Sequence, residues 1–177
     1  TQYGAYATLR LRLAEPLMLV LGSRVSWYEN RRESLNLAWG EWADQDARTK
    51  ETGVVTPFAA LIYDLNDNLS VYASYADIFQ PQSSYATVSG SALKPKMGEN
   101  YELGIKGEWF DGRLNSSLAL FRAIEKNAAQ TDFITRCGSS SDGYCYTDTG
   151  KVRAQGVEAE LSGELLERLQ VFGGYTY

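Results

Sequence analysis

The chain has 177 residues, enough for one ordinary domain with a sizeable core or for one piece of something larger. Its 22 acidic and 17 basic residues leave a net charge of −5, which argues against a nucleic-acid binder, since such a protein normally carries a basic surface stripe. Histidine is absent, so catalytic triads and metal sites built on imidazole are excluded, and two cysteines cannot close a tetrahedral thiolate site.

Residues 3–13 show strict alternation. Tyr3, Ala5, Ala7, Leu9, Leu11 and Leu13 share one face, with Gly4, Tyr6, Thr8, Arg10 and Arg12 on the other. Period two over this length predicts a half-buried strand rather than a helix. A turn is expected at 14–16, where Pro16 cannot continue a ladder. Residues 17–28 resume with Leu17, Leu19, Leu21, Val25 and Trp27 against Gly22, Arg24, Ser26 and Tyr28, completing a hairpin. The polar stretch 29–52 has no sustained period and reads as a long loop; it contains Arg31, Arg32, Trp39 and Trp42.

A third strand at 53–65 places Val55, Pro57, Ala59, Leu61, Tyr63 and Leu65 together, and Asn66, Asp67 and Asn68 supply turn chemistry. The fourth, 69–78, alternates Val71, Ala73 and Tyr75 with Ser70, Tyr72 and Ser74, and a second long loop is expected at 79–98. The fifth, 99–109, sets Tyr101, Leu103, Ile105 and Trp109 against Asn100, Glu102, Lys106 and Glu108, followed by an Asp111–Gly112 turn signal at 110–112. In the sixth, 113–124, Leu114, Leu118, Leu120 and Ile124 share a face with Arg122 while Ala119 and Phe121 take the other, so its facing stays open. A third long loop, 125–150, holds both cysteines. Strand seven, 151–163, sets Val157, Ala159 and Leu161 against Glu158 and Glu160. After a turn at 164–168, Leu169, Val171, Tyr175 and Tyr177 begin an eighth.

No apolar run approaches the ~20 residues of a membrane helix, and the mean hydropathy is −0.32. Membrane β-strands alternate, however, and average out to mild polarity. Eight strands near the ~9–11 residues needed for a tilted crossing, with turns alternating short and long, give the pattern of an all-β, antiparallel up-and-down transmembrane barrel. Tyr3, Trp27, Tyr63, Tyr101 and Trp109 fall near strand ends on the apolar faces, where an aromatic girdle belongs. A small barrel would have to pack Arg10, Arg12, Arg24, Glu102, Lys106, Glu108, Glu158 and Glu160 in its interior, so a wide, hydrated or plugged lumen is expected. The alternatives are a soluble antiparallel β protein, such as a lipocalin-like carrier, and a passive porin or β-barrel adhesin. The chain starts without Met and stops within an alternating run, and it is read as a segment of a longer polypeptide.

Five stretches in one order resemble TonB-dependent ferric-siderophore receptors: residues 71–82 (VYASYADIFQPQ), 93–108 (LKPKMGENYELGIKGE), 110–115 (FDGRLN), 118–122 (LALFR) and 150–163 (GKVRAQGVEAELSG). The opening 3–10 (YGAYATLR) also fits, and Lys96 departs from the pattern at a position where an acid is usual. The likeness is nearest to receptors for ferric hydroxamate and pyoverdine-type chelates. It implies about eight consecutive strands of a barrel of about 22, with 1–177 forming part of one C-terminal barrel domain. The N-terminal plug, the TonB-contacting segment and the last barrel strands have no counterpart here. It also implies an outer-membrane location, a ferric siderophore as cargo, and TonB as a partner through that missing segment.

In an oxidising compartment, Cys137 and Cys145 are expected to form a disulfide, with two free thiols as the alternative. Trp39, Trp42, Tyr85, Tyr144 and Tyr146 offer flat, rigid contact area, and Arg31, Arg32 and Arg136 offer donors for anionic oxygens. These eight are the candidate ligand contacts. Iron arriving already chelated needs no protein ligand, so no resident metal or cofactor is expected. An enzyme is not expected either: Glu158 and Glu160 superficially make a carboxylate pair, but no phosphate loop, nucleophile elbow or metal spacing accompanies them.

Overall fold

The computed structural model describes residues 1–36, 41–137 and 143–177, and of residues 32–36 and 41–48 the backbone alone. Eight strands follow one another: β1 (Gln2–Ala14), β2 (Leu17–Asn36), β3 (Glu41–Asn66), β4 (Leu69–Gln80), β5 (Lys96–Trp109), β6 (Leu114–Arg136), β7 (Tyr144–Leu166) and β8 (Leu169–Thr176). Each pairs antiparallel with its sequence neighbour, giving one sheet in the order β1 to β8. The architecture is the expected up-and-down run.

Pairing register aligns the apolar stripes into continuous rows. Leu9 stands opposite Leu21, and Leu19 opposite Leu61. Leu61 faces Ala73, Ala73 faces Leu103, Leu103 faces Leu120, and Leu120 faces Val157. This face is exposed rather than covered by a second layer, with Leu103 58% and Leu120 55% accessible. Among the described residues the buried hydrophobics are few and small, so no conventional core forms. Such a surface is stable against hydrocarbon and not against water. The rows also settle the facing of β6: Leu114, Leu118, Leu120, Arg122 and Ile124 point outward with the stripe, and Ala119 and Phe121 point inward.

Aromatic rings bound the apolar rows at both ends. Tyr3 stacks on Trp27 at 5.3 Å and Tyr75 tilts against Tyr101 at 5.1 Å, at the end bearing the long hairpins. Trp109, eight residues on from Tyr101, marks the other end, its indole N–H donating to Ser116 at 2.9 Å. That separation is roughly 27 Å of strand, on the scale of the ~25 Å apolar band of an outer-membrane barrel. The tight turns lie at the Trp109 end as expected. In one, Asn66 Oδ1 accepts from the backbone N–H of Asn68 and of Leu69. In another, Phe110, Asp111 and Gly112 all take left-handed backbone conformations.

Two of the three expected long loops are strand. β2 and β3 continue as a hairpin through most of 29–52, and β6 and β7 through most of 125–150. β3 alone has 26 residues, far more than a bilayer crossing needs. Alternation lapses there for two reasons. Beyond the lipid both faces meet water, so no face must be apolar. Register shifts also interrupt the pairing, between Ser26 and Tyr28, Arg32 and Ser34, Lys126 and Ala128, Ala128 and Gln130, and Asp132 and Arg136. The middle stretch is a true loop over 81–95, with one isolated bridge from Ala86 to Ala92.

On the inward face, rings cover glycines. A Cβ at Gly22 would sit 2.2 Å from the Phe58 ring, and one at Gly104 2.7 Å from the Tyr72 ring. Replacing Gly22 or Gly104 by Val therefore displaces a ring from the wall. The expected cost is about 1–3 kcal/mol, read in the full-length protein as a lower temperature for loss of the compact, heat-modifiable gel band.

Candidate functional site

Above the outward aromatic rings at the long-hairpin end, the loop 81–95 lies against the extended β6–β7 hairpin. Gln82, 4% exposed, is its main tie. Its side-chain amide N–H groups donate to the carbonyls of Lys94 and Asn127, each at 2.6 Å, while its Oε1 accepts from the Ala129 N–H at 3.0 Å. Asn127 takes a left-handed conformation at the register shift, and its side chain donates to Pro95 O at 3.1 Å. Leu93 within the loop is 2% exposed. Further along, Tyr146 N–H donates to Ala86 O at 2.9 Å, and Lys94 pairs with Asp148 at 3.7 Å. Tyr28 of β2 and Ser83 share a hydroxyl hydrogen bond of 2.9 Å, tying the loop to the first long hairpin.

Cys137 and Cys145 form the expected disulfide. Cys145 is fully buried, and Cys137 Sγ lies 3.4 Å from Thr87 O, a packing contact because a bridged sulfur has no proton to donate. The crosslink closes the end of the β6–β7 hairpin directly against the loop. Asp132 adds a local turn, its Oδ1 accepting from the N–H of Ile134 at 2.9 Å and of Thr135 at 3.2 Å.

This framework gathers four of the eight candidate contacts. Tyr85 from the loop meets Tyr146 of β7 at 4.6 Å between ring centroids. The Arg136 guanidinium lies 4.0 Å over the Tyr144 ring, which Phe133 meets edge-on at 5.8 Å. Arg31 stands apart on β2, opposite Arg48 of β3. Arg32 and Trp42 fall on the same hairpin, opposite Ala47 and Leu35, with side chains outside the described residues; Trp39 lies wholly outside them. Six of the eight thus sit on strand extensions: Arg31, Arg32, Trp42, Arg136, Tyr144 and Tyr146. The loop placement expected for them is corrected, since polar two-sided strands carry no alternation to betray them. Gln82, Asn127 and Phe133 were not anticipated. A lone Gln or Asn in a polar stretch gives no sequence signal.

Below this platform the inward wall carries charge. Tyr72 Oη donates to Glu102, and Lys106 Nζ lies 4.9 Å from the centre of the Tyr72 ring. Glu158 and Glu160 occupy neighbouring inward rows, opposite Ala119 and Ser117. Nearer the platform, Lys96 pairs with Glu125 at 3.3 Å beside a recess of about 180 Å³ lined by Ile78, Gly98, Ala123, Val152 and Ala154. Among the described residues no group of three or more acids or cysteines is placed to hold a metal ion. The arrangement offers stacking faces, a fixed cation and a polar, water-facing wall, which suits binding of a flat or anionic solute.

A family model described as "TonB dependent receptor-like, beta-barrel" matches residues 1–177. The ferric-pyoverdine M114 receptor PbuA of Pseudomonas sp. (strain M114) is 60% identical over 176 residues, 99% of this chain and 21% of that protein. The ferripyoverdine receptor of Pseudomonas aeruginosa PAO1 is 43% identical over 99% of this chain and 20% of its own length. Among solved structures, the P. aeruginosa receptor FpvA bound to heterologous pyoverdines superposes with a TM-score of 0.81 at 41% identity, covering 99% of this chain and 22% of that one. The alcaligin receptor FauA from Bordetella pertussis gives 0.79 at 34% identity, over 99% and 29%. The chain spans about a fifth of the length of the curated relatives it matches.

Two tests follow from the ties. Gln82→Ala leaves two part-buried carbonyls and an N–H without partners, at about 1–3 kcal/mol, and speeds hydrogen exchange across 81–95. Replacing both cysteines by Ser removes a crosslink worth about 2.5 kcal/mol on the chain-entropy model and loosens the same segment. The hydrogen bonds from Thr135 and Ile134 hold the Asp132 carboxyl below its usual range. A carboxyl with a depressed folded pKa stabilises its turn above the unfolded value and ceases to do so as pH falls through the folded one. The Ile134 and Thr135 amides are therefore expected to keep their protection at neutral pH and lose it in acid, whereas Asp132→Asn flattens that dependence.

Proposed function

This chain belongs to the TonB-dependent receptor β-barrel family, and we propose from that premise that it is a wall segment of an outer-membrane receptor that binds and imports a ferric siderophore of the pyoverdine class. The observation that carries the reading is the pinned platform, with Arg136 over Tyr144 and Tyr85 against Tyr146 held by one disulfide and one buried amide. Relatives named as ferric-pyoverdine and ferripyoverdine receptors share 60% and 43% of its residues.

A ferric chelate presents a compact, oxygen-rich, net anionic surface with iron already coordinated. Stacking rings and a guanidinium recognise that surface without any protein–iron bond. Preorganisation matters, because ordering a floppy loop on binding would subtract from affinity. Below the platform, the charged inward wall keeps the lumen wet, so the cargo can pass without meeting a greasy barrier. Coupling to TonB is proposed to act through parts of the receptor outside this segment and to supply the energy of uptake.

The test is fluorescence quenching of the full-length receptor by a panel of ferric chelates. Ferric pyoverdine is expected to quench at the lowest concentration, and Arg136→Ala with Tyr146→Ala to weaken it at least about tenfold, the loss of ~1.4 kcal/mol in contacts. Equal quenching by every chelate, or no effect of the double variant, defeats this reading. Uptake that persists without TonB points instead to a passive pore.

A further inference from the structure

The inward wall carries charge of opposite sign on its two halves. Between the Tyr3–Trp27 pair and the tight turns, β1 and β2 present Arg10, Arg12 and Arg24 to the lumen and no acid. The facing residues of β3, from Thr56 to Ile62, add none. On the other half, β5 and β7 present Glu102, Glu158 and Glu160. All three arginines are exposed, and among the described residues none makes an ion pair.

Register shows how far the two signs are kept apart. The row of Arg10 passes through Val20, Ala60 and Ser74 before it meets Glu102, four strands away. That is roughly 19 Å along the sheet, well beyond the ~8 Å over which exposed charges feel each other in salt water. Arg12 shares its row with Met18 and Ile62, and that row reaches a carboxylate only at Glu158 on β7. Where this wall braces itself with charge, the partner is adjacent, as with Lys96 and Glu125 at 3.3 Å on neighbouring strands. The arginines of β1–β2 are not braces of that kind.

Their placement along the strand is ordered as well. Arg24 stands opposite Tyr6, which is 81% exposed, three residues below the Tyr3–Trp27 pair. A Cβ at Gly4 would lie 3.2 Å from Arg24 Nε and 3.0 Å from Val25 O, so bare backbone gives the guanidinium its seat on the wall. Arg10 follows four residues further down and Arg12 two beyond that, just above the 14–16 turn. From Tyr6 to Arg12 the three levels span roughly 20 Å, most of the ~25 Å apolar band. Charges of one sign backed by a low-dielectric wall focus their field into the water beside them. An anion in the lumen is therefore drawn to β1–β2 and repelled from β5–β7. Several weak stations in series also let a solute leave each one, which a single tight site would not.

We infer that Arg24, Arg10 and Arg12 form a cationic track on the inward wall of β1–β2, along which the anionic ferric chelate moves from the long-hairpin end towards the tight turns. The inference rests on the siderophore-import reading and adds to it the side of the lumen that the cargo follows. The three are positioning residues for passage, separate from the Tyr85–Tyr146 and Arg136–Tyr144 platform.

The test pairs two measurements on the full-length receptor: uptake of pyoverdine loaded with radioactive iron by cells that also contain TonB, and fluorescence quenching of the purified receptor by the same chelate. The triple variant Arg10→Gln, Arg12→Gln, Arg24→Gln is expected to lower uptake at saturating chelate about tenfold, with quenching at the wild-type concentration. Replacing all three by Lys is expected to keep uptake near wild type, and replacing them by Glu to lower it below the Gln variant. Wild-type uptake by the Gln variant overturns the track, as does an equal loss in the Lys variant, because charge would then not be the cause. Quenching weakened as much as uptake also overturns it, since the arginines would then belong to the binding site. So does a Gln variant whose compact gel band is lost at a clearly lower temperature, which marks the arginines as ion-paired with another part of the receptor. Absence of quenching in wild type defeats the siderophore reading itself, whereas normal quenching with unimpaired uptake in the Gln variant defeats the track alone.

Discussion

Hydrocarbon offers no partner to an amide or a carbonyl, so a chain that crosses it must complete its backbone hydrogen bonds internally. Strands β2 to β7 meet that demand by pairing with a sequence neighbour on each side, β1 and β8 pair on one side, and the pairing leaves the side chains free to face two different solvents. Lipid takes the outward rows from Leu9 through Leu61 and Leu103 to Val157. Water takes the opposite face with Glu102, Lys106, Glu158 and Glu160. The exposure of large apolar side chains, which would mark a defective soluble protein, is the expected consequence. The same constraint puts charge on the water-facing wall, where Lys96 pairs with Glu125, and keeps the outward rows apolar across the hydrocarbon.

Beyond the lipid the demand relaxes, and the structure changes character while keeping the same ladder. The long hairpins run on as two-sided polar strands interrupted by register shifts, and such strands are weakly specified by pattern. Order there rests on point ties instead. A disulfide closes the β6–β7 hairpin, Gln82 spends both ends of its amide on three backbone groups, and Asn127 answers from the far side. These ties hold Tyr85 against Tyr146 near the strand that carries Arg136 over Tyr144. The proposed binding platform is therefore a product of local crosslinks standing on a rigid wall. Sites placed on rigid elements keep their geometry better than sites on free loops.

The division between what the chain's letters determined and what folding decided follows these two regimes. Within the bilayer, period two in 3–13, 17–28 and 99–109, the Asn66–Asn68 turn and the girdle positions of Trp27, Tyr101 and Trp109 were all legible, because a lipid-facing strand must write its facing into every second residue. Only the register could orient β6, since Leu118 and Arg122 share a face and composition alone cannot rank them. Outside the bilayer, the types of the candidate contact residues could be read, but not their company. That Tyr85 meets Tyr146, or that Gln82 anchors the loop, depends on residues far apart in sequence, 61 positions in the first case and 45 in the link from Gln82 to Asn127. A side chain's partner across such a gap is set by where the strands place it, and a polar, two-sided strand leaves no periodic trace from which that placement can be inferred.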